Sequence, residues 1–592
     1  MAQSAEPRVL NINVGVLGHV DSGKTSLVAA LSSTLSTAAL DKHPQSRERG
    51  ITLDLGFSAF AAPLPDHLRH LPYDSLQFTL VDCPGHASLI RTIIGGARII
   101  DMMVLVVDIT KGLQAQTAEC LVVGEMAAQH LVVALNKTDL LPEADRQRAV
   151  KKAQKRLGAA LAPTRFSGAP MVPVCARPGG GGAPGAPGGA RAEGVDELKA
   201  VLLGMAAPRA AAVGAPFLFA VDHCFAVKGQ GTVLTGTVLQ GAVSVGDSVE
   251  LPALKITRPV KSIQMFRRPA ATAAQGDRAA LLVAQLDPKL LERGLAAAPG
   301  SVPALAGAVA RVDPRAVPSR TRYHVNLGHE TVMAEVTFFG APDSRGGNQD
   351  DALQDMISGL EAMSLHQPVA GGFDWGAEYL WQDQLYGLQG RPLTDSQRRQ
   401  RRQEAGAPAA HAGEQQQAEG GEDEEEEEAH FGPQWALLKF DQPLTAPADS
   451  AVIGARLDLD AAGEACRLAF YGRITAALDP SDASKLARLQ VYKPKERAGA
   501  IDRIAPDGSY AICRGLFKKE SDVEPFLGAA VVTARGEVGV IEGRFGASGK
   551  VRVAFGGAGL APAGDRRPGD GAVHLRYKKF VFDGGKGRRI RQ

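Results

Sequence analysis

Lysine, threonine, aspartate and asparagine stand at the ends of apolar runs in four stretches whose order suits phosphate chemistry. They are Gly18-His19-Val20-Asp21-Ser22-Gly23-Lys24-Thr25, Arg49-Gly50-Ile51-Thr52, Asp82-Cys83-Pro84-Gly85-His86 and Asn136-Lys137-Thr138-Asp139. The first is a phosphate loop: Asp21, Ser22 and Gly23, with Lys24, Thr25 and Ser26 behind them, bring backbone N–H groups close to phosphate oxygens. Lys24 neutralises the β and γ phosphates, and Thr25 offers its hydroxyl to Mg2+. Alone, that loop serves ATP as well as GTP. Asn136, Lys137 and Asp139 decide the base, because a carboxylate accepts from both guanine N–H donors and adenine has no such pair. Together the four stretches imply a guanine-nucleotide switch that hydrolyses GTP.

Hydrolysis of this kind rests on positioning and charge stabilisation. Thr52 is expected to complete the Mg2+ shell only when a γ-phosphate is present, and Asp82 to hold a metal-bound water. Gly85 can donate its N–H to the γ-phosphate, so nucleotide state sets the conformation of its loop. His86 follows where a side chain reaches the attacking water and is the catalytic candidate. Val20 and Ile51 are placed to gate it.

These groups need strands that end at a common edge. Asn11 to Leu17, Phe78 to Val81, Met103 to Val107 and Leu131 to Leu135 are apolar runs, separated by helical patterns such as Ala87 to Arg98. That alternation predicts a parallel α/β sheet with its ligand loops at the strand C-terminal ends. From Ala215 the pattern changes to short runs punctuated by glycine: Phe217–Val221, Gly231–Val238, Ser248–Leu251, Val260–Phe266 and Ala279–Gln285. This spacing predicts a small β-barrel. A second β-rich region starts near Val302 and resumes at Trp435 to Phe440. Between them, about 341–431 carries Arg398-Arg399-Gln400-Arg401-Arg402 and an acidic run from Glu422 to Glu428, and reads as a disordered charged insertion. Within it, Phe373 through Trp381 reads as an ordered helix. A Gly/Pro/Ala tract, Pro178 to Gly189, reads as a floppy surface loop.

The expected architecture is therefore multidomain: a P-loop GTPase α/β domain (1–213), two β-barrels (214–301 and 302–477) and a β-rich basic domain (478–592). The 592 residues suit several domains, and no apolar run approaches a membrane span. Nothing at Met1 to Pro7 resembles a secretory segment, so a cytoplasmic location is expected. The six cysteines lack metal-ligand spacing and read as reduced thiols. The net charge of +2 hides an asymmetry: from Lys485 to Gln592, 22 Lys+Arg face 11 Asp+Glu, an excess of +11. Such a module suits nucleic acid, although a solvated basic surface has the same composition.

Histidine after Asp82-Cys83-Pro84-Gly85, an Arg-Gly-Ile-Thr switch and barrels after an α/β domain resemble the translational GTPases. More specific segments resemble the eukaryotic selenocysteine-specific elongation factors. They include Val221-Asp222-His223-Cys224-Phe225, Lys228 to Thr237, Gln275-Gly276-Asp277-Arg278, Asp287 to Gly294, Gly328 to Met333, Gln434 to Leu437, Leu489 to Lys493, Leu516 to Glu520 and Tyr577 to Asp583. The resemblance spans nearly the whole chain outside the Gly/Pro loop and the charged insertion.

It implies GTP/GDP and Mg2+ as cofactors, and delivery of selenocysteinyl-tRNA to the ribosome at UGA codons. It also implies a selenocysteine insertion stem-loop RNA engaged through its binding protein, no membrane, and a monomeric chain. The family's selenocysteine pocket maps onto Asp222, His223 and Arg278, where a cation favours an anionic selenolate over a neutral hydroxyl. The alternative is that this arginine and histidine satisfy carbonyls or carboxylates at the barrel edge. Cys175-Ala176-Arg177 stands where GTPases commonly carry Ser-Ala-Lys, leaving the Ala176 N–H for guanine O6 and placing Arg177 beside the base. Competing readings are a general elongation factor, the γ subunit of an initiation factor, and an RNA-binding adaptor that rarely hydrolyses GTP. The basic fourth module argues against the first, and Thr52, Gly85 and His86 against the last.

Overall fold

The computed structural model describes residues 8–35, 55–83, 99–162, 164–177, 192–209, 214–266, 268–312, 317–328, 330–341, 373–385, 433–447, 449–458, 467–479, 484–546, 548–556, 560, 571–582 and 590–592. The N-terminal sheet contains β1 (Val9–Leu17), β2 (Thr34–Leu35), β3 (Gly56–Pro63), β4 (Ser75–Asp82), β5 (Met102–Asp108), β6 (His130–Asn136) and β7 (Met171–Pro173), in the order β2-β3-β4-β1-β5-β6-β7. Strands β4, β1, β5, β6 and β7 run parallel, and β3 is antiparallel to β4. Parallel strands are covered on both faces and so read as continuous apolar runs. On one face Ile12, Val14, Val16 and Val104 meet Leu27 and Val28 of α1 (Lys24–Leu31). On the other, Leu105, Val107 and Val133 meet Val123 and Met126 of α2 (Ala115–Ala127). The helix expected over Ala87–Arg98 and the Pro178–Gly189 tract lie outside the described residues.

Three barrels follow. In the first, Ser248–Leu251, Gly294–Ala297, Leu218–Val227, Gly231–Gln240, Arg278–Val283 and Ile256–Met265 pair in turn, and the last pairs back onto the first. The second runs Thr321–Leu327, Ala451–Ala455, Leu468–Leu478, Ala304–Val312, Gln434–Thr445 and Glu330–Gly340, closing through Thr321–Leu327. The basic module is itself a closed barrel of Gln490–Ile504, Tyr510–Arg514, Lys550–Phe555, Val538–Phe545, Ala530–Thr533 and Ala572–Phe580.

The insertion is where expectation and structure part. Residues 373–385 are neither helical nor unstructured. Glu378–Trp381 is a strand, antiparallel to Glu330–Gly340 and parallel to Gln490–Ile504, and it joins the second and third barrels into one 14-stranded sheet. The physical reason is aromatic burial: Phe373 and Tyr379 pack with Phe339 and Trp435 at centroid distances of 5.1–6.3 Å. Phe373, Trp375, Tyr379 and Trp381 alternate with period two, the strand signature.

Candidate functional site

Four of the parallel strands end at one edge, and each end contributes a polar group. The phosphate loop follows β1. Asp82 ends β4, Asp108 ends β5 and Asn136 ends β6, with Val16 opposite Asp82 and Asp108 opposite Asn136. The loop is left-handed at Asp21 (φ 59°) and Gly23 (φ 90°). A Cβ at Gly23 would lie 2.2 Å from the Asn136 amide nitrogen, so the turn leaves space only for glycine. Asn136 Nδ2 donates to the Ser22 carbonyl at 2.9 Å, tying the end of β6 to the loop that follows β1.

Lys24 is buried, its ammonium donating to the His19 carbonyl at 2.8 Å, and burial lowers its pKa. Thr25 Oγ1 donates to Asp82 Oδ2 at 2.7 Å, which brings two hard oxygen ligands together. The buried Ser22 hydroxyl has no hydrogen-bond partner among the described residues. A buried ammonium, an orphaned hydroxyl and a glycine turn fit a polyphosphate. The Thr25–Asp82 pair fits Mg2+, which takes few protein oxygens and keeps water and phosphate as its other ligands. Asp21 is exposed and Ser26 half-buried at the start of α1. Thr52, Gly85 and His86, with Ile51 of the supposed gate, lie outside the described residues.

At the base-reading end, Lys137 is left-handed (φ 67°) and its ammonium pairs with Asp108 Oδ2 at 2.8 Å. Asp108 also accepts from the Thr110 N–H and hydroxyl at 2.9 and 2.6 Å. Burial pushes its carboxyl up, but the bonds from Lys137 and Thr110 outweigh that and hold it below the usual range. Asp139 is half-buried beside Cys175, whose thiol is pushed up to about 12 by burial and by that carboxylate. The Ala176 N–H, offered to guanine O6 in the sequence reading, here donates to Asn136 Oδ1 at 3.1 Å; Arg177 is exposed next to it. Sequence reasoning missed Asp108. Its signal was available, since it ends a parallel strand as Asp82 and Asn136 do.

On the first barrel, Asp222, His223 and Arg278 come together around one carboxylate. Asp222 Oδ1 contacts His223 Nδ1 at 3.0 Å and accepts from Thr235 Oγ1 at 2.8 Å, while Oδ2 accepts from Arg278 Nη1 at 2.5 Å. Asp222 and Arg278 are buried and His223 is half-exposed. Burial raises the Asp222 carboxyl, yet the Arg278 charge and the bonds from His223 and Arg278 bring it down to about 2. The Arg278 guanidinium lies 3.2 Å from the ring centroid of Phe57, on β3 of the GTPase sheet. The adjoining turn is also held: Asn11 and Asn13 on β1 donate to the Gly276 carbonyl at 2.7 and 3.0 Å. Farther along, Glu119 of α2 takes Arg467 of the second barrel through Nε and Nη2, both at 3.0 Å.

The sheet, the phosphate loop and the base-reading strand end define a guanine-nucleotide-binding protein whose first barrel is docked on the nucleotide domain. Family models agree with this architecture. The Elongation factor Tu GTP binding domain matches residues 10–242, the third domain of eukaryotic selenocysteine-specific elongation factors matches 314–472, and the eEFSec C-terminal RIFT domain matches 487–564. The selenocysteine-specific elongation factor of Mus musculus is 46% identical, over 97% of this chain and 98% of its own length. That of Methanocaldococcus jannaschii is 35% identical over 48% of this chain and 55% of its own. Translation elongation factor SelB from Methanococcus maripaludis, solved with the GTP analogue GppNHp, shares the fold with a TM-score of 0.63 at 22% identity. The match covers 96% of this chain and 99% of that one. The chain belongs to the eukaryotic selenocysteine-specific elongation factors, and it is a GTP-binding translational GTPase.

Proposed function

We propose that the protein, loaded with GTP and Mg2+, carries selenocysteinyl-tRNA to ribosomes at UGA codons. In this reading it works as a cytoplasmic monomer, and a stem-loop RNA in the message acts through its own binding protein. The domain limits 1–213, 214–301, 302–477 and 478–592 belong to the same proposal. Mg2+ supplies charge neutralisation on the β and γ phosphates. Thr25 and Thr52 would hold it, with Asp82 holding a metal-bound water, while Gly85 would sense the γ-phosphate and His86 position the attacking water. Asp21, Ser22, Gly23, Lys24 and Ser26 cradle the phosphates; Asn136, Lys137, Asp139, Ala176 and Arg177 surround the base.

His223 and Arg278 gather around the Asp222 carboxylate, as the alternative of a satisfied barrel-edge carboxylate also has it. What supports the amino-acid preference is that this cluster lies where the first barrel docks on the nucleotide domain. Asp222 and Arg278 cancel in charge, and the half-exposed His223 is the member of the cluster that an incoming group can reach. A selenolate is anionic near neutrality, whereas serine's hydroxyl is neutral and cannot return a charge-assisted bond. Such a bond is worth roughly 1.5–3 kcal/mol, about ten- to a hundredfold. The GTP-loaded protein is expected to shield the ester of selenocysteinyl-tRNA far better than that of seryl-tRNA on the same tRNA body. Arg278→Ala should shrink that difference with GTP affinity unaltered. Undiminished discrimination in the variant would move selectivity to the tRNA body.

A further inference from the structure

Where the second and third barrels meet, two separate segments bring positive charge onto the indole of a third. Trp381 comes from the strand inside the insertion. Lys493, on the long first strand of the third barrel, holds its ammonium 3.2 Å from the Trp381 ring centroid. Arg320, at the tight turn before Thr321–Leu327 in the second barrel, has its guanidinium 6.0 Å from the same centroid. Arg320 is left-handed (φ 57°), a conformation that costs a non-glycine residue energy, and its N–H is tied to the Val336 carbonyl. Lys579 stands directly opposite Lys493 in the ladder, and Lys495 lies two residues along on the same face. Like charges paired across strands are destabilising. Burial, then Arg320, Lys495 and Lys579, depress the Lys493 pKa, and Asp383 is the carboxylate that opposes them. The nearby acid Glu378 is engaged elsewhere, by Lys578 and Arg591.

Among the described residues, Lys493 and Arg320 lie over the indole, Lys495 and Lys579 stand beside Lys493, and Asp383 opposes them, an arrangement that an anion would relieve. We propose that Arg320 and Lys493, which lie over Trp381, form with Lys495 and Lys579 beside Lys493 a notch for the phosphodiester backbone of a folded RNA. This rests on the reading of the C-terminal barrel as an RNA-facing module, and it places contacts on both barrels and on the insertion strand. The strand Glu378–Trp381 is then what completes the site, because it supplies the aromatic floor and hydrogen-bonds to both barrels at once. Lys495 and Arg320 are exposed, while Lys493 and Lys579 are half-buried, so the notch is open to a backbone at one side.

The test uses the full-length, GTP-loaded protein and two transcripts, the selenocysteine tRNA and the message stem-loop. Affinity is measured against each across a salt series. Arg320→Gln, Lys495→Gln and Lys579→Gln are combined, and thermal unfolding and GTP binding are checked to be parental. Binding to one transcript should weaken at least tenfold, with the slope of log affinity against log salt falling by about two to three, as expected for that many lost phosphate contacts. The transcript affected identifies the RNA source. A second variant neutralises exposed basic residues of the same barrel away from the notch, Arg503, Lys518 and Lys519. If only this second set weakens RNA, the notch is wrong and the module reading stands. If neither set matters, the module reading fails with it. Displacement of a bound acidic peptide, with RNA affinity unchanged in the first variant, would also overturn the proposal.

Discussion

The nucleotide site and the Asp222 cluster both assemble charged groups, but they are built differently. The first draws its groups from the ends of adjacent parallel strands in one sheet, where register alone brings Asp82, Asp108 and Asn136 to a common edge. The second collects Asp222, Thr235 and Arg278 from three barrel strands and is completed from another domain by Phe57. A site made within one sheet exists whenever that sheet folds. A site made across a domain boundary exists only while the domains are docked. If the Asp222 cluster sets the proposed amino-acid preference, that preference and nucleotide affinity should be alterable separately, and mutations can break or sharpen the contrast.

The largest effect is expected at the buried pair. Asp222→Ala leaves Arg278 as an uncompensated buried charge, which costs about 3–5 kcal/mol. Denaturant unfolding should show the loss, with the nucleotide domain's GTP affinity retained in native conditions. The pH dependence has a definite sign. The Asp222 carboxyl is depressed from its ordinary value to about 2, so its contribution is complete above the unfolded value and is lost as pH falls toward 2. The parent should therefore lose stability below about pH 4 more steeply than the variant. Parallel curves would show that the pair does not couple to folding.

At the other site, Asp139→Asn should weaken GTP by about a hundredfold, roughly 3 kcal/mol for two bonds to a charged acceptor, and raise affinity for xanthosine triphosphate. Nucleotide titration decides it, and unchanged GTP affinity would end the base assignment. His86→Ala is expected to spare GTP and aminoacyl-tRNA binding while ribosome-stimulated hydrolysis falls at least about tenfold. Single-turnover hydrolysis on ribosomes measures it; a parental rate would remove His86 from catalysis.

The same contrast explains what could be read from sequence. Lys24, Asn136 and Asp139 were legible because strand, turn and ligand group are contiguous in the chain. The barrel strands were legible from glycine-punctuated runs, and Ser248–Leu251 was located to the residue. Phe57, Glu119 and Arg467 were not legible, because a partner in another domain, 348 residues away for Glu119 and Arg467, leaves no local pattern in either segment. At 373–381 the pattern was present but was assigned the wrong period. Phe373, Trp375, Tyr379 and Trp381, with Ala377 between them, fall on one side of a period-two pattern that signalled a strand, and the flanking charge runs drew attention from it. Asp108 was missed for a different reason: its partners, Thr110 and Lys137, belong to a loop and a motif already assigned other duties.

The smallest effect concerns the docking itself. Asn11 Nδ2 donates to the Gly276 carbonyl at 2.7 Å, while its Oδ1 accepts from Thr79 Oγ1 at 2.7 Å and from Gln77 Nε2 at 3.2 Å. Gly276 lies two residues before Arg278, in a turn that is left-handed at the glycine (φ 92°). Asn11→Ala cuts one tie across the boundary and removes an acceptor from the buried Thr79 hydroxyl, a net loss of about 1 kcal/mol. Asn13 still donates to the same carbonyl at 3.0 Å, so the barrel is loosened and not released. The phosphate loop lies at the far end of β1 from Asn11, and GTP affinity should stay parental. Arg278 should be held less firmly over Phe57, and the ester-protection preference for selenocysteinyl-tRNA should fall by no more than about fivefold. A fall as deep as that of Arg278→Ala would mean that docking, and not the local charge cluster, sets the preference. No fall at all would mean that the cluster keeps its geometry without the nucleotide domain, and the contrast between the two sites would then be one of sequence layout alone.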